Sequence, residues 1–263
     1  MVSCISIVKT LQNTNVEIRG LGTVEVYPTT IEVGNNCVAA RCHIVGTEGD
    51  MIIKCYHRRH PGDMFLDTAN YYLDALRVVE LDGRVEYVDV TLSRWVEGDA
   101  LDVVLYNGDC DYAALSRAFD RMAFNHKRDK VVHGDVKPEN IVVTTNGEMQ
   151  LIDDDLLPRK NEWGFMAVEY GSSLYTHRNR RIRRTDEYTD DYPLALISVL
   201  LAAMAVDERC FSYSTTMSKS VTIAMELLHK AGDTLHYNIV LAIQSSIMGK
   251  VDRLEELLAK CVQ

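Results

Sequence analysis

One short segment, HGDVKPEN at residues 133–140, carries the densest set of chemically active side chains in this chain. It brings together a carboxylate, Asp135, an amine, Lys137, and an amide, Asn140, and a second carboxylate, Asp153, follows thirteen residues after Asn140. An ordinary polar turn explains Asp135 and Asn140, because both residue types favour turns. It does not account for Lys137 or Asp153. The spacing therefore points to a chemical role for the segment.

These residues match a known pattern. The segment resembles the catalytic loop of eukaryotic-type protein kinases, His-Arg-Asp-x-Lys-x-x-Asn, with Gly134 where arginine is usual. The run Asp153–Asp155 resembles the magnesium-binding Asp-Phe-Gly of that family. The resemblance covers about residues 24–206. It implies an α+β, two-lobed fold, with a five-stranded antiparallel sheet and one helix in the N-lobe and a mainly helical, reduced C-lobe.

The resemblance also implies a role for each residue of the segment. It indicates transfer of a phosphoryl group from ATP with Mg²⁺, a reaction in which the protein mainly positions groups and neutralises charge. Asp135 is expected to accept or orient the proton of the attacking hydroxyl, and Lys137 to steady the transferred group. Asn140 and Asp153 are expected to hold Mg²⁺, which keeps several waters and needs few protein ligands. The crowded carboxylates of Asp153–Asp155 either share a cation or point partly to solvent.

A second match lies upstream. Met51–Lys54 resembles the Val-Ala-Ile-Lys strand, whose lysine contacts the α- and β-phosphates, and the resemblance gives Lys54 that role. The family pairs this lysine with a helix glutamate, but no glutamate occurs between Lys54 and Glu80. Asp74 is the expected partner. The alternative is that Asp67 and Asp74 are two solvated acids of one helix.

Three further positions follow from the resemblance. The glycine-rich phosphate cover corresponds to Gly34–Ala39, where only the first glycine, Gly34, remains as a nucleotide-binding position. Asparagine tolerates left-handed backbone, so the following Asn35-Asn36 is expected to keep a tight turn. Glu97, at the end of the link between the lobes, either binds a ribose hydroxyl or faces water. Asp191 resembles the helix aspartate that braces the backbone of the catalytic loop, with a plain helix cap as the alternative.

Regulation and docking are expected to differ from the family pattern. Gly134 lacks the cation that grips a phosphorylated activation loop, so the enzyme is expected to work without loop phosphorylation. Gly171–Tyr175 resembles the end of that loop. The arginine-rich run Arg178–Arg184 is either solvated surface or a docking patch for an acidic or phosphorylated partner.

The composition narrows the partners and the compartment. The chain has 263 residues and a formal net charge of −10 at pH 7, which argues against nucleic acid or an anionic membrane as the main partner. The longest apolar run, Leu194 to Val206, covers about 13 residues, fewer than the roughly 20 that cross a bilayer. It predicts a buried helix. Seven scattered cysteines without metal-ligand spacing predict reduced thiols and a cytoplasmic location.

Hydrophobic periodicity predicts the elements. Short runs between turn signals predict strands at 23–33, 37–46, 51–56, 77–81 and 85–96. Helical spacing predicts an inserted helix at 63–77. In the second half, Asp111 is expected to cap a helix, and Asn146-Gly147 to join strands at 141–144 and 149–152 after a short fragment at 131–132. Further helices are predicted at 191–206, 217–231, 233–248 and 250–261.

These patterns combine into one leading interpretation. The chain is expected to comprise an N-terminal extension (1–23), an N-lobe (24–97) and a C-lobe (98–263). It is expected to be an ATP- and Mg²⁺-dependent phosphotransferase acting on a Ser or Thr hydroxyl, since Lys137-Pro138-Glu139 favours a protein acceptor. Two alternatives stay open. The His-Gly-Asp run also resembles aminoglycoside and related small-molecule phosphotransferases, and the reduced glycine turn fits a pseudokinase scaffold that binds nucleotide without turnover.

Overall fold

The chain forms two units, each with its own buried core. The computed structural model describes residues 2–34, 36–57, 71–153, 174–179, 186–210 and 217–263. The first unit is Met1–Trp95 and the second is Val96–Gln263. No helix within the described ranges is both long enough and apolar enough to cross a membrane.

The first unit is built on antiparallel strands. Its elements are α1 (Cys4–Leu11), β1 (Asn15–Ile18), β2 (Gly22–Val26), a 3-10 turn (Pro28–Thr30), β3 (Glu32–Val33), β4 (Cys37–Ile44), β5 (Asp50–Tyr56), β6 (Tyr71–Val79) and β7 (Val85–Arg94). Six strands pair in a closed ring, in the order β2, β1, β6, β7, β5, β4, because β4 pairs back with β2. Strand β3 pairs with β4 beside the ring. In β4, Val38, Ala40 and Cys42 are buried, as expected when alternate side chains face one core.

The prediction of a simple five-stranded sheet is wrong, since seven strands lie in the described part of this unit. The predicted strand at 23–33 is divided by the 3-10 turn at Pro28–Thr30. Proline cannot donate to a strand ladder, so the chain leaves the sheet there. Strand β1 has no counterpart among the predicted strands.

Strand β1 and helix α1 come from segment 1–23, which the sequence indicated only as an extension. Helix α1 begins where the Ser3 hydroxyl accepts a hydrogen bond from the Ile5 backbone at 3.2 Å. Ile7 and Leu11 are fully buried in the core of the first unit. The segment therefore contributes a helix and a strand to that unit.

The predicted helix at 63–77 is wrong over residues 71–77, which belong to β6; residues 58–70 lie outside the described part of the chain. The register between β6 and β7 shifts between Tyr72 and Leu76. Asp74, at the shift, has a positive φ of 45°. This irregularity interrupts the two-residue alternation of a strand, so the apolar residues recur at a spacing that resembles a helix.

The second unit is mainly helical. Its elements are β8 (Gly98–Ala100), α2 (Leu101–Asn107), α3 (Tyr112–Arg128), a 3-10 turn (Pro138–Asn140), β9 (Ile141–Thr144), β10 (Met149–Leu151), α4 (Asp191–Val206), α5 (Met217–Ala231), α6 (Thr234–Ser245) and α7 (Leu254–Cys261). Helix α4 is the centre of the core, because every residue from Leu194 to Met204 is buried. Helices α3, α5 and α6 pack against it. The prediction that this apolar run is a buried helix is confirmed.

Two helices differ from their predicted lengths. Helix α6 ends at Ser245 rather than 248, and α7 begins at Leu254 rather than 250. Met248 and Arg253 have positive φ angles of 56° and 59°, which a right-handed helix does not accommodate. The predicted strand fragment at 131–132 is not a strand.

Candidate active site

The hairpin of β9 and β10 brings two distant parts of the sequence together. Ile141 lies opposite Leu151 in the antiparallel ladder. One step further along, the Ile152 backbone N–H donates to the Asn140 carbonyl at 2.9 Å. Because this bond extends the ladder, Asn140 and Asp153 lie at the same end of the hairpin.

Asp135 is the centre of the hydrogen bonds in the adjoining loop. Its Oδ2 accepts from Lys137 Nζ at 2.7 Å and from Asn140 Nδ2 at 3.2 Å. The Asn140 Nδ2 also donates to the Asp135 backbone carbonyl at 2.9 Å. The side chains of Asp135 and Lys137 keep 23% and 25% of their exposure, whereas Asn140 is buried. A bound molecule can therefore reach the carboxylate and the amine, and the buried amide of Asn140 holds the carboxylate in place.

The charge of Lys137 is stabilised by its acidic neighbours. Partial burial lowers the pKa of Lys137, but the hydrogen bond and charge of Asp135 outweigh it, and the net pKa is raised. The charges of Glu139 and Asp153 act in the same direction. Lys137 is thus a cation at neutral pH.

Asn140 and Asp153 offer the oxygen ligands that Mg²⁺ prefers. The two bonds from Asn140 Nδ2 fix the amide, so its oxygen Oδ1 is the atom that can bind a metal. Asp153 is exposed and has a left-handed φ of 69°, a costly backbone conformation for a non-glycine residue that is concentrated at functional sites. These donors fit Mg²⁺. Asp154 and Asp155 lie outside the described residues.

His133 links the loop to the residue before Asp153. Its imidazole is buried, and Nδ1 accepts from the Asp135 backbone N–H at 3.3 Å. Nε2 therefore carries the proton and donates to the Ile152 carbonyl at 2.7 Å. The imidazole of His133 thus links both segments that carry the candidate site.

Asp190, immediately before α4, holds the backbone of the loop. Its fully buried carboxylate accepts from the His133 N–H at 2.5 Å, from the Gly134 N–H at 2.8 Å and from His126 Nε2 at 2.9 Å. Burial raises the pKa of Asp190, but His126 and the His133 N–H outweigh it and hold the pKa below its ordinary value. The carboxylate therefore stays ionised.

The prediction that Asp191 braces the loop is wrong by one residue. Asp191 accepts from Lys127 Nζ at 2.5 Å and from the Val251 backbone N–H at 3.1 Å. It joins α3 and α4 to the segment before α7. Asp190, His126 and Lys127 were not among the residues predicted from the sequence. The sequence signal for Asp190 was the acidic pair Asp190-Asp191 at the start of an apolar helix. The pair alone does not show which of the two carboxylates faces the loop.

The residues predicted to bind nucleotide in the first unit occupy distinct places. Lys54 is buried in β5, opposite Thr91 of β7. Gly34 lies in the turn between β3 and β4, where its N–H donates to the Cys37 carbonyl at 2.9 Å. Asp74 lies in β6 rather than on a helix, so the expectation of a helix acid is wrong there. Its pairing with Lys54 stays a prediction.

The remaining predicted positions are at least partly described. Glu97 is exposed and immediately precedes β8. Arg178 is also exposed. The other arginines of the run, residues 171–173 of the predicted loop end, and Asp67 all lie outside the described residues.

Together, the strand-rich first unit, the helical second unit and the loop braced from α4 are typical of a protein kinase-like fold. The structure of the ROP18 kinase domain in complex with AMP-PNP and sucrose is similar, with a TM-score of 0.59 and 12% sequence identity. The match covers 98% of this chain and 88% of that chain. At this identity the likeness shows the fold alone. No protein-family model and no curated protein matches the sequence.

Proposed function

We propose that this chain is an ATP- and Mg²⁺-dependent phosphotransferase that transfers the γ-phosphate to a hydroxyl group. The observation that carries the proposal is the set of contacts around Asp135. Its Oδ2 lies 2.7 Å from Lys137 Nζ and 3.2 Å from Asn140 Nδ2, in a loop that is braced by a buried carboxylate. A surface turn needs neither this convergence of groups nor the brace.

Each residue has a role that fits its environment. Asp135, partly exposed and oriented by two donors, accepts or orients the proton of the attacking hydroxyl. Lys137, a stable cation, neutralises charge on the transferred phosphoryl group. Asn140 Oδ1 and the Asp153 carboxylate hold Mg²⁺, which screens the phosphates when bound.

The first unit supplies the remaining contacts of the proposal. Lys54 contacts the α- and β-phosphates, and the turn at Gly34 covers them, as the resemblance of these segments implies. Asp74 pairs with Lys54, and Glu97 binds the ribose. AMP-PNP is present in the ROP18 kinase domain complex, which supports ATP as the nucleotide here.

The proposed acceptor is a serine or threonine side chain of a protein. The run Lys137-Pro138-Glu139 supports this choice, and Arg178–Arg184 offers a docking patch for an acidic partner. We also place the enzyme in the cytoplasm, which agrees with seven cysteines that form no disulfide. A small-molecule acceptor is the second candidate, because Gly134 gives the loop the His-Gly-Asp form of small-molecule phosphotransferases.

The proposal gives Asp153 and Asp135 separable roles. The thermal shift with ATP and Mg²⁺ measures nucleotide binding, and a radiolabelled ATP assay with protein and small-molecule acceptors measures transfer. Asp153→Asn should abolish the Mg²⁺-dependent thermal shift produced by ATP. Asp135→Asn should keep that shift and lower transfer about 10²- to 10⁴-fold, because asparagine keeps an acceptor oxygen for the loop but cannot take up the proton of the attacking hydroxyl. Equal loss of nucleotide binding in both variants would show that the roles are wrongly assigned. A wild-type thermal shift without transfer would favour the pseudokinase scaffold, and no shift would contradict both functions.

A further inference from the structure

A second cluster of polar side chains joins three helices of the second unit. Asp120 lies on α3, His236 in the first turn of α6, and Cys261 is the last residue of α7. One potential ligand atom from each lies within 4.8 Å of the other two. Asp120 is 1% exposed, and the His236 side chain keeps 12% of its exposure. The kinase-like loop uses none of these residues.

Two further residues, Asp233 and Ser198, contact His236 and Asp120 on the sides that face away from the other ligand atoms. The Asp233 carboxylate lies 2.7 Å from His236 Nδ1, and Ser198 Oγ donates to Asp120 Oδ1 at 2.6 Å. The second ring nitrogen, Nε2, and the second carboxylate oxygen, Oδ2, are joined to each other by a hydrogen bond of 2.9 Å. A histidine that ligates a metal commonly gives its other ring N–H to a carboxylate, and that contact fixes the orientation of the ring.

We propose that Asp120 Oδ2, His236 Nε2 and Cys261 Sγ form a zinc site, positioned by Asp233 and Ser198. One oxygen, one nitrogen and one sulfur donor suit Zn²⁺, whereas Mg²⁺ and Ca²⁺ prefer oxygen ligands alone. A water completes the tetrahedral coordination. Binding requires a thiolate and a neutral imidazole, so the protons on Sγ and Nε2 pass to solvent when Zn²⁺ enters.

A proton competes with the metal for His236 Nε2. His236 lies between two carboxylates, 2.7 Å from Asp233 and 2.9 Å from Asp120, and these hydrogen bonds hold protons on its ring nitrogens. The metal must therefore displace a firmly held proton. When bound, it ties helix α7 to α3 and α6, at a place that the loop around Asp135 does not share.

Cobalt(II) is a suitable probe, because thiolate coordination produces a charge-transfer absorption that a nitrogen or oxygen site lacks. The wild-type protein should take up one cobalt ion with this absorption, and excess zinc should remove it. Cys261→Ser should lose the absorption. Cys110→Ser, a matched change of another partly buried cysteine, should keep it. Absence of the absorption in the wild type, or its persistence in Cys261→Ser, overturns the proposal.

Two further measurements test the geometry. Asp233→Asn removes the carboxylate that orients His236 and should weaken zinc binding about 10- to 100-fold, while the cobalt absorption at saturating metal remains. X-ray absorption of the wild-type zinc protein needs no variant. It should show one sulfur ligand at about 2.3 Å together with nitrogen and oxygen ligands. A shell without sulfur, or with more than one sulfur, overturns the assignment.

Discussion

Replacement of Asp190 by asparagine tests whether the loop around Asp135 depends on the buried carboxylate. This carboxylate accepts hydrogen bonds from the His133 N–H, the Gly134 N–H and His126 Nε2. Asparagine keeps one acceptor oxygen but turns an NH₂ group toward at least one of these donors. A hydrogen bond to a charged group contributes about 1.5–3 kcal/mol, and an unsatisfied buried donor costs about 1–3 kcal/mol. We therefore expect the free energy of unfolding to fall by roughly 3–5 kcal/mol.

Urea unfolding measures this loss, and Asp191→Asn is the matched control. The control removes the same charge from the next residue, which is also buried but contacts Lys127 and Val251 instead of the loop. Under conditions where both variants are folded, Asp190→Asn should reduce phosphate transfer more than Asp191→Asn. Equal transfer by the two variants, or a stability loss below about 1 kcal/mol for Asp190→Asn, would refute the assignment of the brace.

The same variant gives a pH test. The pKa of Asp190 in the folded protein lies below its ordinary value of 3.8. A carboxyl group of this kind stabilises the fold at pH above 3.8, and that stabilisation is lost as the pH falls through the folded-state pKa. The stability difference between wild type and Asp190→Asn should therefore narrow as the pH is lowered below 3.8. A constant difference would mean that the ionised carboxylate is not the source of the effect.

The remaining predictions concern Gly134 and the Lys127–Asp191 pair. Gly134 has a φ of 83°, and an added Cβ would meet no atom within 4 Å, so Gly134→Ala should cost about 1–2 kcal/mol through backbone strain alone. Gly134→Asn should lower the free energy of unfolding less, because asparagine tolerates left-handed backbone better than alanine does. If Gly134→Ala is as stable as the wild type in urea unfolding, the argument from backbone strain is wrong. Lys127→Met leaves a buried carboxylate without its cation and should lower the free energy of unfolding by about 3 kcal/mol. Adding Asp191→Asn should recover most of this loss in thermal unfolding, and a double variant no more stable than Lys127→Met would show that the pair is not coupled.

The elements of the second unit follow from the sequence where the signals are local. Asp111 caps α3 by accepting from the Ala114 N–H at 2.9 Å, as a cap signal before an apolar periodicity predicts. Gly147 supplies the positive φ of 78° that the turn between β9 and β10 requires. Both features depend on residues within a few positions of each other. The sequence alone was therefore sufficient for the start of α3 and for the hairpin.

The first unit shows where the same reasoning fails. The irregularity at Asp74 changes the spacing of apolar residues in β6, and the backbone N–H of Asp74 donates to Asp89 Oδ1 at 2.9 Å. That contact spans fifteen residues and belongs to the pairing of β6 with β7. A periodicity rule sees only one strand at a time, so it assigned the helical spacing to a helix.

In the candidate site, the spacing of Asp135, Lys137 and Asn140 identified a group that the structure holds within hydrogen-bond distance. The choice between Asp190 and Asp191 could not be made in the same way. Asp190 directly precedes α4 and Asp191 is its first residue, so the two side chains point in different directions, and only packing against the loop decides which carboxylate faces it. Long-range packing is the information that one sequence lacks.

Position 134 shows how this packing acts through the backbone. The contribution of Gly134 to the loop is its backbone N–H, which donates to Asp190 at 2.8 Å. This bond needs no side chain, and glycine adopts the observed φ of 83° without the strain that a Cβ would impose. Glycine therefore keeps the backbone contact that shapes the loop and adds no side chain at this position. Asp190 holds the loop around Asp135 through backbone N–H groups, so this contact depends on the backbone conformation at position 134 rather than on a side chain there.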